Sequence, residues 1–528
     1  MGIPLFFKNI SEKYRDIKMN SVKLKPGSML LFDLNCLIHP CSSKVIKHSY
    51  SSNKEVLEQR IITEIKNYMD YIMSLNNTEY VYVAIDGVAP FAKMTQQRSR
   101  RYKSVYQKKM IKNIKTRLEL PCEGEWDSNA ISPGTEFMKK LTKELEIWLD
   151  SRRETIIFSS CDKPGEGEHK IMHFIKTNKI EGNIFIYGLD ADLVMLSLTC
   201  KEKNIYLLRE KIQDGKIVEN VFIYCDIDRL KENIVTDFCD RFYGDQKNAS
   251  VSINHNIIDD YVFICFFLGN DFVPHILTLD IRHSGLDIVM ENYIYTLRML
   301  DQPFIINNSI NKKFLLYFIS CLEKNENKTS IDIFEKRKRM NKFFNIRAST
   351  SLEQELQLIE NNPILCLKEE TQITYKPEGW MQRYYNNCFS ADTSYEIDRI
   401  SEEYIEGIYW TFSYYFKQCE CWEWKYNYNY APTLYHLKKY LETNNSPVVF
   451  NKKKPLAPLA QLFIILPSES YNLLPEKYHS YIFDKNSCLS HLYPTKYKFS
   501  RCFKRYDWQC TPILPYIDDT TLTIIKNI

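Results

Sequence analysis

Two closely spaced pairs of carboxylates stand out in this chain. Glu166 and Glu168 form one pair and Asp190 and Asp192 form the other, and one residue separates the members of each pair. Four acids held together repel one another and shift one another's pKa values. A divalent cation relieves that repulsion, and Mg²⁺ prefers carboxylate oxygens while keeping waters for a phosphate substrate. Two such ions about 3.5–4 Å apart are the usual device for cutting a phosphodiester. The alternative is a pair of solvated acidic turns.

The surrounding sequence predicts how these pairs are positioned. Asp190 directly follows Ile184–Leu189, a short apolar run rich in β-branched and aromatic residues, which predicts a buried strand. Glu168 opens a predicted helix, Glu168–Lys176, after a Pro-Gly stretch. Open α/β folds place their sites at the carboxyl edge of the sheet. Both pairs are therefore expected at that edge.

Other acids follow apolar runs of the same kind. Three more predicted strands are Ser28–Asp33, Val81–Ile85 and Thr155–Ser159. Asp33 ends the first of these runs and Asp86 follows the second. The runs alternate with helical stretches such as Gln59–Met73, which predicts an α/β fold with a largely parallel sheet and helices on both faces. An acid after a strand is often only a helix cap, but three strand ends carrying acids indicate one shared site.

A later acid also emerges from an apolar element. Asp259–Leu268 is a buried helix or strand by its periodicity, and Gly269-Asn270-Asp271 follows it. Considered alone, Asp271 would be a turn residue.

A basic stretch follows the second predicted strand. Lys93–Arg117 contains ten Lys and Arg residues and no Asp or Glu, although the net charge of the chain is only +4. Lys93, Gln97, Arg100 and Arg101 lie at i, i+4, i+7 and i+8, within about a third of a helix circumference. Three cations and an amide on one face predict a phosphate pocket. The alternative is a solvated basic helix face.

Composition restricts the class of protein. The chain has 528 residues, 44% apolar and 26% charged, which is typical of a globular protein with two or more domains. No apolar run approaches the roughly 18–20 residues of a membrane span, and the N-terminus lacks the layout of a signal peptide. Phe6 stands where a myristoylation signal needs Ser or Thr. The sixteen cysteines contain no Cys-x-x-Cys, so zinc is not expected and reduced intracellular thiols are.

Six segments together resemble the Xrn family of 5′→3′ exoribonucleases. They are the N-terminal MGIPLFFKNISEKY, then FDLNCLIHPC, AIDGVAPFAKMTQQRSRRYKS, SPGTEFM, PGEGEHKIM with GLDADLVMLSL, and FLGNDFVPH. The second conserved region of that family is also similar to Tyr404–Pro432, with Asn429 where the family usually has His. Pro455–Pro467 and Trp508–Asp518 resemble its closing motifs. The resemblance covers nearly the whole chain.

The resemblance implies a fold and a set of site residues. The fold would be a PIN- or flap-nuclease-like, largely parallel sheet flanked by helices, followed by a mostly helical second region that closes the site. The metal ligands and catalytic acids would be Asp33, Asp86, Glu166, Glu168, Asp190, Asp192 and Asp271. The 5′-phosphate pocket would be Lys93, Gln97, Arg100 and Arg101, the same set as the helix face. His39 would stack on the first base, and Trp422 or Trp424 would line the RNA channel.

The resemblance also implies an activity. The expected reaction is processive, two-metal-ion hydrolysis of single-stranded RNA with a 5′-monophosphate to 5′-mononucleotides, with two Mg²⁺ ions and Mn²⁺ as a substitute. We expect a monomer without a membrane association, acting in RNA decay with decapping or other decay factors, in the cytoplasm or alternatively the nucleus. Two alternatives stay open: a structure-specific DNA nuclease of the flap-endonuclease type, and an inactive scaffold that binds RNA 5′ ends.

The expected domain organisation has three parts. Residues 1–325 would form the nuclease domain and residues 351–528 the second conserved region. Residues 326–350, with the basic run EKRKRMNK, would form a solvated linker, although such a run is also read as a nuclear signal. The long C-terminal extensions of larger family members, and any zinc knuckle, are expected to be absent.

Overall fold

A mostly parallel sheet forms the centre of the computed structural model, which describes residues 3, 5–48, 53–121, 126–188, 190–213, 216–244 and 255–528. Within these residues the main sheet has seven strands in the order β1-β7-β6-β5-β2-β3-β4. The strands are β1 (Lys18–Met19), β2 (Met29–Asp33), β3 (Tyr80–Ala84), β4 (Thr155–Ser159), β5 (Ile184–Tyr187), β6 (Ile205–Gln213) and β7 (Lys216–Asp226). Strands β2 to β6 pair in parallel, whereas β7 pairs antiparallel with β6 and with β1.

The central strands are buried on both faces. Successive side chains of a strand point to opposite sides of the sheet. Accordingly Leu31 packs into one hydrophobic core, while Leu30 and Phe32 pack into the other. Strand β5 alternates in the same way, with Ile186 in the first core and Tyr187 in the second. Helices cover both faces, which confirms the predicted α/β class.

Ten helices accompany the sheet in the first three hundred residues, counted over the described part of the chain. They are α1 (Phe6–Lys13), α2 (Asn35–His48), α3 (Lys54–Asn76), α4 (Phe91–Arg117), α5 (Glu136–Asp150), α6 (Gly167–Thr177), α7 (Ala191–Thr199), α8 (Ile227–Tyr243), α9 (His255–Cys265) and α10 (Gly285–Leu300). The predicted helices at 59–73, 93–103 and 168–176 lie inside α3, α4 and α6. A 3₁₀ turn, Phe266–Leu268, continues α9.

The remaining chain is mainly helical, as predicted. Its helices are α11 (Lys312–Glu323), α12 (Glu326–Lys342), α13 (Ser351–Glu360), α14 (Asn362–Leu365), α15 (Lys368–Thr374), α16 (Trp380–Phe389), α17 (Ser394–Phe416), α18 (Leu434–Thr443), α19 (Pro458–Ile465), α20 (Ser480–Phe483) and α21 (Asp519–Asn527). Two short hairpins interrupt them, β8 (Ile305–Ile306) with β9 (Ser309–Ile310) and β10 (Phe499–Ser500) with β11 (Thr511–Pro512). A search of the described residues finds no helix with the length and apolar character needed to cross a membrane.

The C-terminal part packs directly against helix α4. A third hydrophobic core joins Phe91 and Met94 of α4 to the α19 and α21 region. The buried Arg98 guanidinium donates to the carbonyl oxygens of Leu492 and Pro515, each at 2.7 Å. The helix that carries the predicted phosphate pocket is thus held along one side by residues from the far end of the chain.

The predicted solvated linker is wrong for residues 326–342. These residues form helix α12, and its Ile333, Phe334 and Arg337 are buried. Arg337 makes a two-pronged ion pair with the buried Glu370, at 2.6 and 2.8 Å. A run of positive charge predicts a solvated segment, but here the apolar residues and one arginine lie on the packed face of a helix.

Strand ends differ slightly from the expectations. Strand β2 begins at Met29, β3 covers Tyr80–Ala84, and β5 ends at Tyr187. Leu189, the last residue of the predicted fourth strand, and Met1, Gly2 and Pro4 of the N-terminal motif lie outside the described residues.

Candidate active site

The sheet brings the predicted acids to its carboxyl edge. Asp33 is the last residue of β2, and Asp86 comes two residues after β3. Asp190 immediately precedes α7, after β5. Strand β2 lies between β3 and β5 in parallel register, so these three strand ends are neighbours. Glu166 and Glu168 lie at the start of α6, which packs on β2 and β3.

Five of the seven acids line one cavity of about 480 Å³. They are Asp33, Asp86, Glu166, Glu168 and Asp190. Asp192 is buried in the first turn of α7, and Asp271 follows the 3₁₀ turn and lines an adjoining cavity. An ion pair joins Asp271 to the main group, because the Lys93 ammonium contacts both Asp271 and Glu166. The structure therefore assembles acids from five separate places in the chain.

Gly167 explains how the two sides of this cluster approach each other. Its N–H donates to Asp86 Oδ1 at 2.6 Å. A Cβ atom at this position would lie 2.7 Å from Asp33 Oδ1, which is closer than real contacts allow. The Glu-Gly-Glu sequence therefore lets helix α6 start directly against the end of β2.

Electrostatics within the cluster favour a bound cation. Burial, followed by the charges of Asp86 and Asp190, raises the pKa of Asp33 well above its usual range. Burial, followed by Glu166, raises the pKa of Asp86 to about 6. Burial is also the main reason that the pKa of Asp192 rises to about 6, and burial with Asp192 raises that of Glu168. The positive charge near these four carboxyl groups is too small to offset burial and mutual repulsion. Their ionised forms are therefore unfavourable unless a cation binds.

The donor set fits a divalent metal ion. Among the described residues, Asp33 Oδ1 and Glu168 Oε2 are buried oxygens that accept no hydrogen bond. Buried polar atoms normally find a partner, so such orphaned acceptors indicate a ligand. Glu166, Glu168 and His169 also offer ligand atoms within 4.8 Å of one another. Sequence reasoning did not single out His169. Its position next to Glu168 was the only feature that could have indicated a role as a metal ligand.

Lys93 connects the acidic cluster to the predicted phosphate pocket. Its ammonium lies 2.6 Å from Glu166 and 2.8 Å from Asp271. Burial alone would raise the pKa of Asp271. The charge and hydrogen bond of Lys93, together with other positive charges such as Arg100, outweigh burial and hold that pKa below its ordinary value. Lys93 also lines the main cavity.

The other predicted phosphate-binding residues line the same cavity as the acids. Gln97, Arg100 and Arg101 of α4 line it together with His39 of α2. The Arg101 guanidinium donates to both the backbone and the side-chain oxygen of Asn129 at 3.2 Å. Asn129 was missed by sequence reasoning, although it lies just before the quoted SPGTEFM motif. It fixes the orientation of Arg101 in the cavity.

His39 presents a neutral ring. The ring is exposed to the cavity, while desolvation by the surrounding atoms, and then the charges of Arg100 and Arg101, lower the pKa of His39 to about 4. A neutral imidazole can stack on a base without adding charge to the pocket.

Two adjacent tyrosines from α17 reach the acids. Tyr414 donates to Glu166 Oε2 at 2.7 Å, and Tyr415 donates to Asp192 Oδ1 at 2.9 Å. Burial, followed by Glu166 for Tyr414 and Asp192 for Tyr415, raises the pKa of each tyrosine, so both remain hydroxyl donors. Sequence reasoning expected most aromatic residues of this region to pack and did not single out these two.

The structure separates the predicted tryptophans from the site. Trp424 packs against Trp410 with ring centroids 5.2 Å apart, and it belongs to the hydrophobic core region. The Trp422 carbonyl accepts a hydrogen bond from Phe91 N–H at the start of α4. Neither tryptophan lines the cavity of the acids or the adjoining one. Trp508, which is 43% exposed, lines the adjoining cavity instead.

That adjoining cavity has a volume of about 440 Å³ and shares Arg100 with the first. Its walls combine cations, amides and aromatic rings, among them Lys103, Lys504, Asn270, Gln96, Tyr426, Tyr428 and Trp508. The amide of Gln96 is buried and, among the described residues, neither of its polar atoms has a hydrogen-bond partner. This composition suits a segment of single-stranded nucleic acid.

An acidic centre at the carboxyl edge of a parallel α/β sheet, beside a cationic cavity, defines the class of PIN-like nuclease folds. Within that class the chain belongs to the XRN 5′-3′ exonuclease family. The family model described as "XRN 5′-3′ exonuclease N-terminus" matches residues 1–211, and the one described as "Xrn1 helical domain" matches residues 253–372 and 367–526.

Individual relatives agree with this family. The chain is 26% identical to "5′-3′ exoribonuclease 1" of Saccharomyces cerevisiae, covering 99% of this chain and 43% of that protein. It is 29% identical to "5′-3′ exoribonuclease 1" of Homo sapiens, covering 99% of this chain and 34% of that protein. It is 28% identical to "5′-3′ exoribonuclease 2" of Gallus gallus, covering 99% of this chain and 69% of that protein. The chain thus spans less than half the length of the yeast and human relatives.

Proposed function

We propose that this chain is a 5′→3′ exoribonuclease that degrades RNA carrying a 5′-monophosphate into 5′-mononucleotides and acts in RNA decay. The observation that carries the proposal is a shared cavity. Gln97, Arg100 and Arg101, the cationic side, line the same space of about 480 Å³ as five of the acids. A terminal phosphate held by the cationic side puts the next phosphodiester within reach of the acids. The product is one nucleotide and a new 5′-phosphate end.

The cationic side supports selection of a single terminal phosphate. Arginine forks match the oxygens of a phosphate, and Asn129 fixes one of them. The cavity is bounded by the acids, so a longer phosphate chain or a cap would bring negative charge against carboxylates. Repulsion between like charges excludes such ends. Lys93 contacts Glu166 and Asp271, and therefore ties the phosphate pocket to the acidic cluster.

The acidic cluster supports a divalent cofactor. We propose two Mg²⁺ ions, with Mn²⁺ as a substitute, held by Asp33, Asp86, Glu166, Glu168, Asp190, Asp192 and Asp271. When bound, the ions supply a Lewis acid and lower the pKa of a water molecule. The chain's own contribution is to hold the carboxylates in place, through Gly167, Lys93 and the two tyrosines of α17, and to bury them from bulk water.

The two cavities support a path for single-stranded RNA. The first base stacks on the neutral ring of His39, and the following nucleotides pass Arg100 into the adjoining cavity. There Lys103 and Lys504 meet the backbone and Trp508 offers a stacking surface. Every base has a face on which to stack, so degradation is independent of sequence.

The proposal extends to organisation and setting. Residues 1–325 would act as the nuclease domain, and residues 351–528 would close its site, since Tyr414 and Tyr415 reach the acids from there. The enzyme would act as a monomer in the cytoplasm, with the nucleus as the alternative, together with decapping or other decay factors.

A four-way experiment tests the activity. One RNA is prepared with either a 5′-phosphate or a 5′-hydroxyl, and each is incubated with Mg²⁺ or with EDTA. We expect mononucleotide release only with both the 5′-phosphate and Mg²⁺. Internal cuts, or equal rates for the two ends, would indicate an endonuclease of the flap type.

An active-site variant separates catalysis from binding. Asp190→Ala should abolish turnover and retain binding of 5′-phosphorylated RNA, whereas Asp150→Ala, at the end of α5, should behave as wild type. Tight RNA binding by the wild-type chain without any cleavage would favour the inactive scaffold instead.

A further inference from the structure

The second region touches the acidic cluster through two hydroxyl groups that are adjacent in sequence. Tyr414 and Tyr415 lie near the end of α17, and each contacts a different helix of the nuclease part. Tyr414 donates to Glu166 at the start of α6, and Tyr415 donates to Asp192 in the first turn of α7. The pairs are 248 and 223 residues apart in the chain. One short segment thus bridges two of the elements that carry the candidate metal ligands.

The two rings cannot readily turn away from these acids. Tyr414 stacks on Trp410 with centroids 4.9 Å apart at 21°, and meets Phe272 edge-on at 5.3 Å. Tyr415 meets Phe266 edge-on at 5.1 Å. Both tyrosines are buried. Because packing fixes each ring, it also fixes the direction from which the hydroxyl group donates its hydrogen bond to the carboxylate.

The hydrogen bonds leave the acids able to bind a cation. A carboxylate has about four lone-pair positions, so one or two contacts do not exhaust it. Glu166 receives Tyr414 on Oε2 and the Lys93 ammonium on Oε1, which fixes the plane of the carboxylate from both sides. Side chains that hydrogen-bond to metal ligands orient those ligands and raise metal affinity.

We propose that Tyr414 and Tyr415 are positioning residues, whose hydroxyl groups hold Glu166 and Asp192 in the orientation that binds the divalent cation. The inference rests on the proposed function in that it assigns the cluster to a metal. Beyond the proposed function, this role means that the second region sets the metal affinity of the nuclease part. Apolar packing alone would be satisfied by phenylalanine at both positions, so only the hydroxyl groups distinguish this role from a structural one.

The test uses Tyr414→Phe, Tyr415→Phe and the double variant of the full chain. These changes remove only the hydroxyl groups and keep the ring packing. Mn²⁺ binding is measured without RNA, by the loss of the free-ion electron paramagnetic resonance signal and by calorimetry. We expect the dissociation constant to rise about tenfold for each single variant and further for the double variant.

Tyr293→Phe is the matched control. Tyr293 is also buried and also donates to a buried carboxylate, Asp260, at 2.8 Å, but that carboxylate lies outside the cluster. Its Mn²⁺ dissociation constant should equal that of wild type. A second readout is the Mg²⁺ dependence of RNA degradation. The half-saturating Mg²⁺ concentration should rise in the site variants, while the rate at saturating Mg²⁺ recovers most of the wild-type value.

The outcomes are distinguishable from those of the proposed function. Site variants that bind Mn²⁺ within twofold of wild type would overturn the positioning role, as would a wild-type chain that binds no Mn²⁺. A wild-type chain that binds Mn²⁺ and releases no nucleotide from RNA would overturn the proposed activity, and the Mn²⁺ affinities of the variants would still decide the role of the tyrosines.

Discussion

The Lys93 ammonium lies 2.8 Å from the carboxylate of Asp271, in the buried wall between the two cavities. It also lies 2.6 Å from Glu166. A single cation from the phosphate-pocket face of α4 therefore neutralises acids from two other elements. This contact makes the proposed phosphate pocket and the acidic cluster one electrostatic unit.

Removal of this cation should destabilise the chain. Lys93→Met keeps the length of the side chain but removes the ammonium that forms ion pairs with Glu166 and Asp271. Breaking a buried ion pair by removing one member typically costs about 3–5 kcal/mol, so we expect a loss of that order in the free energy of unfolding, measured in urea with EDTA. Lys103→Met, on the same helix, removes an ammonium that donates only to the Trp508 carbonyl among the contacts described, and should cost much less. Equal effects of the two changes would contradict the central role of Lys93.

Gly167 offers a test of how closely the acids must approach. In Gly167→Ala the new methyl group meets Asp33 Oδ1 at 2.7 Å, so the Asp33 carboxylate must move. Alanine favours a helix interior by about 1 kcal/mol over glycine. Gly167 is the first residue of α6, so a smaller gain should offset only part of the steric penalty in overall stability. We expect Mn²⁺ affinity to fall about tenfold or more, by analogy with disturbed metal-ligand orientation, while the melting temperature changes by only a few degrees. Unchanged Mn²⁺ affinity would show that Asp33 has room to adjust.

The positions of the central strands and of helix α4 could be predicted from the sequence because they depend on the pattern of apolar and polar residues. The predicted strands overlap β2, β3, β4 and β5. Strands β2, β3 and β5 are short apolar runs that are largely buried, whereas β4 lies at the edge of the sheet and leaves Ile157 exposed. Asp33, Asp86 and Asp190 could be grouped because strand ends in a parallel sheet meet at one edge. The full set of seven, with Asp271 above all, followed only from the resemblance to the family. Helix α4 and the face formed by Lys93, Gln97, Arg100 and Arg101 followed from periodicity alone.

Contacts between distant segments could not be predicted in the same way. The approach of Tyr414 to Glu166 depends on how α17 packs against α6, and an aromatic run gives no sign of which rings carry a functional hydroxyl. Asn129 reads as an ordinary loop residue until Arg101 is seen to bind it. The charge of the basic run predicts a solvated segment, whereas the spacing of Ile333, Phe334 and Arg337 places them on one buried face of α12. The choice between Trp422 and Trp424 as a channel residue stays a prediction.

RNA binding distinguishes the candidate tryptophans. Trp508 is partly exposed beside Arg100 and Lys103 in the adjoining cavity, whereas Trp424 is packed against Trp410. Stacking of a base on an aromatic ring is worth about 1–3 kcal/mol. Trp508→Ala should therefore weaken binding of 5′-phosphorylated RNA by roughly 5- to 150-fold, measured by fluorescence anisotropy in EDTA, with little loss of stability.

Trp424→Ala should give the opposite pattern. Loss of a packed aromatic side chain costs about 3–5 kcal/mol of stability, whereas the RNA affinity of the folded protein should change little. The opposite result is also informative. If Trp422→Ala or Trp424→Ala weakened RNA binding and Trp508→Ala did not, the stacking residue would be one of the two tryptophans predicted from the sequence.

A buried carboxyl group far from the acidic cluster should make stability depend on pH. Asp260 in α9 is fully buried and accepts hydrogen bonds from the Phe304 and Ile305 N–H groups and from Tyr293. Burial outweighs these bonds and raises the pKa of Asp260 to about 7, whereas an aspartate in an unfolded chain titrates near about 4. Between these pH values the folded chain holds a proton that the unfolded chain has released. Its stabilising contribution is therefore complete below about pH 4 and is lost as the pH rises through about 7.

The slope for one such proton is about 1.4 kcal/mol per pH unit. We expect the free energy of unfolding of the wild-type chain to fall between pH 5 and pH 8, in EDTA and at constant ionic strength. The acids of the cluster with raised pKa values change stability in the same direction, so the informative quantity is the difference between wild type and Asp260→Asn. Asparagine keeps the shape and carries no titrating proton, and its slope should be smaller by about one proton between pH 5 and 6.5. Glu326→Gln is a matched second variant, because the pKa of Glu326 is also raised to about 7 by burial, and it should reduce the slope by a similar amount. If both variants kept the wild-type slope, the two carboxyl groups would have to be ionised in the folded chain at pH 5, and their backbone N–H partners would then outweigh burial.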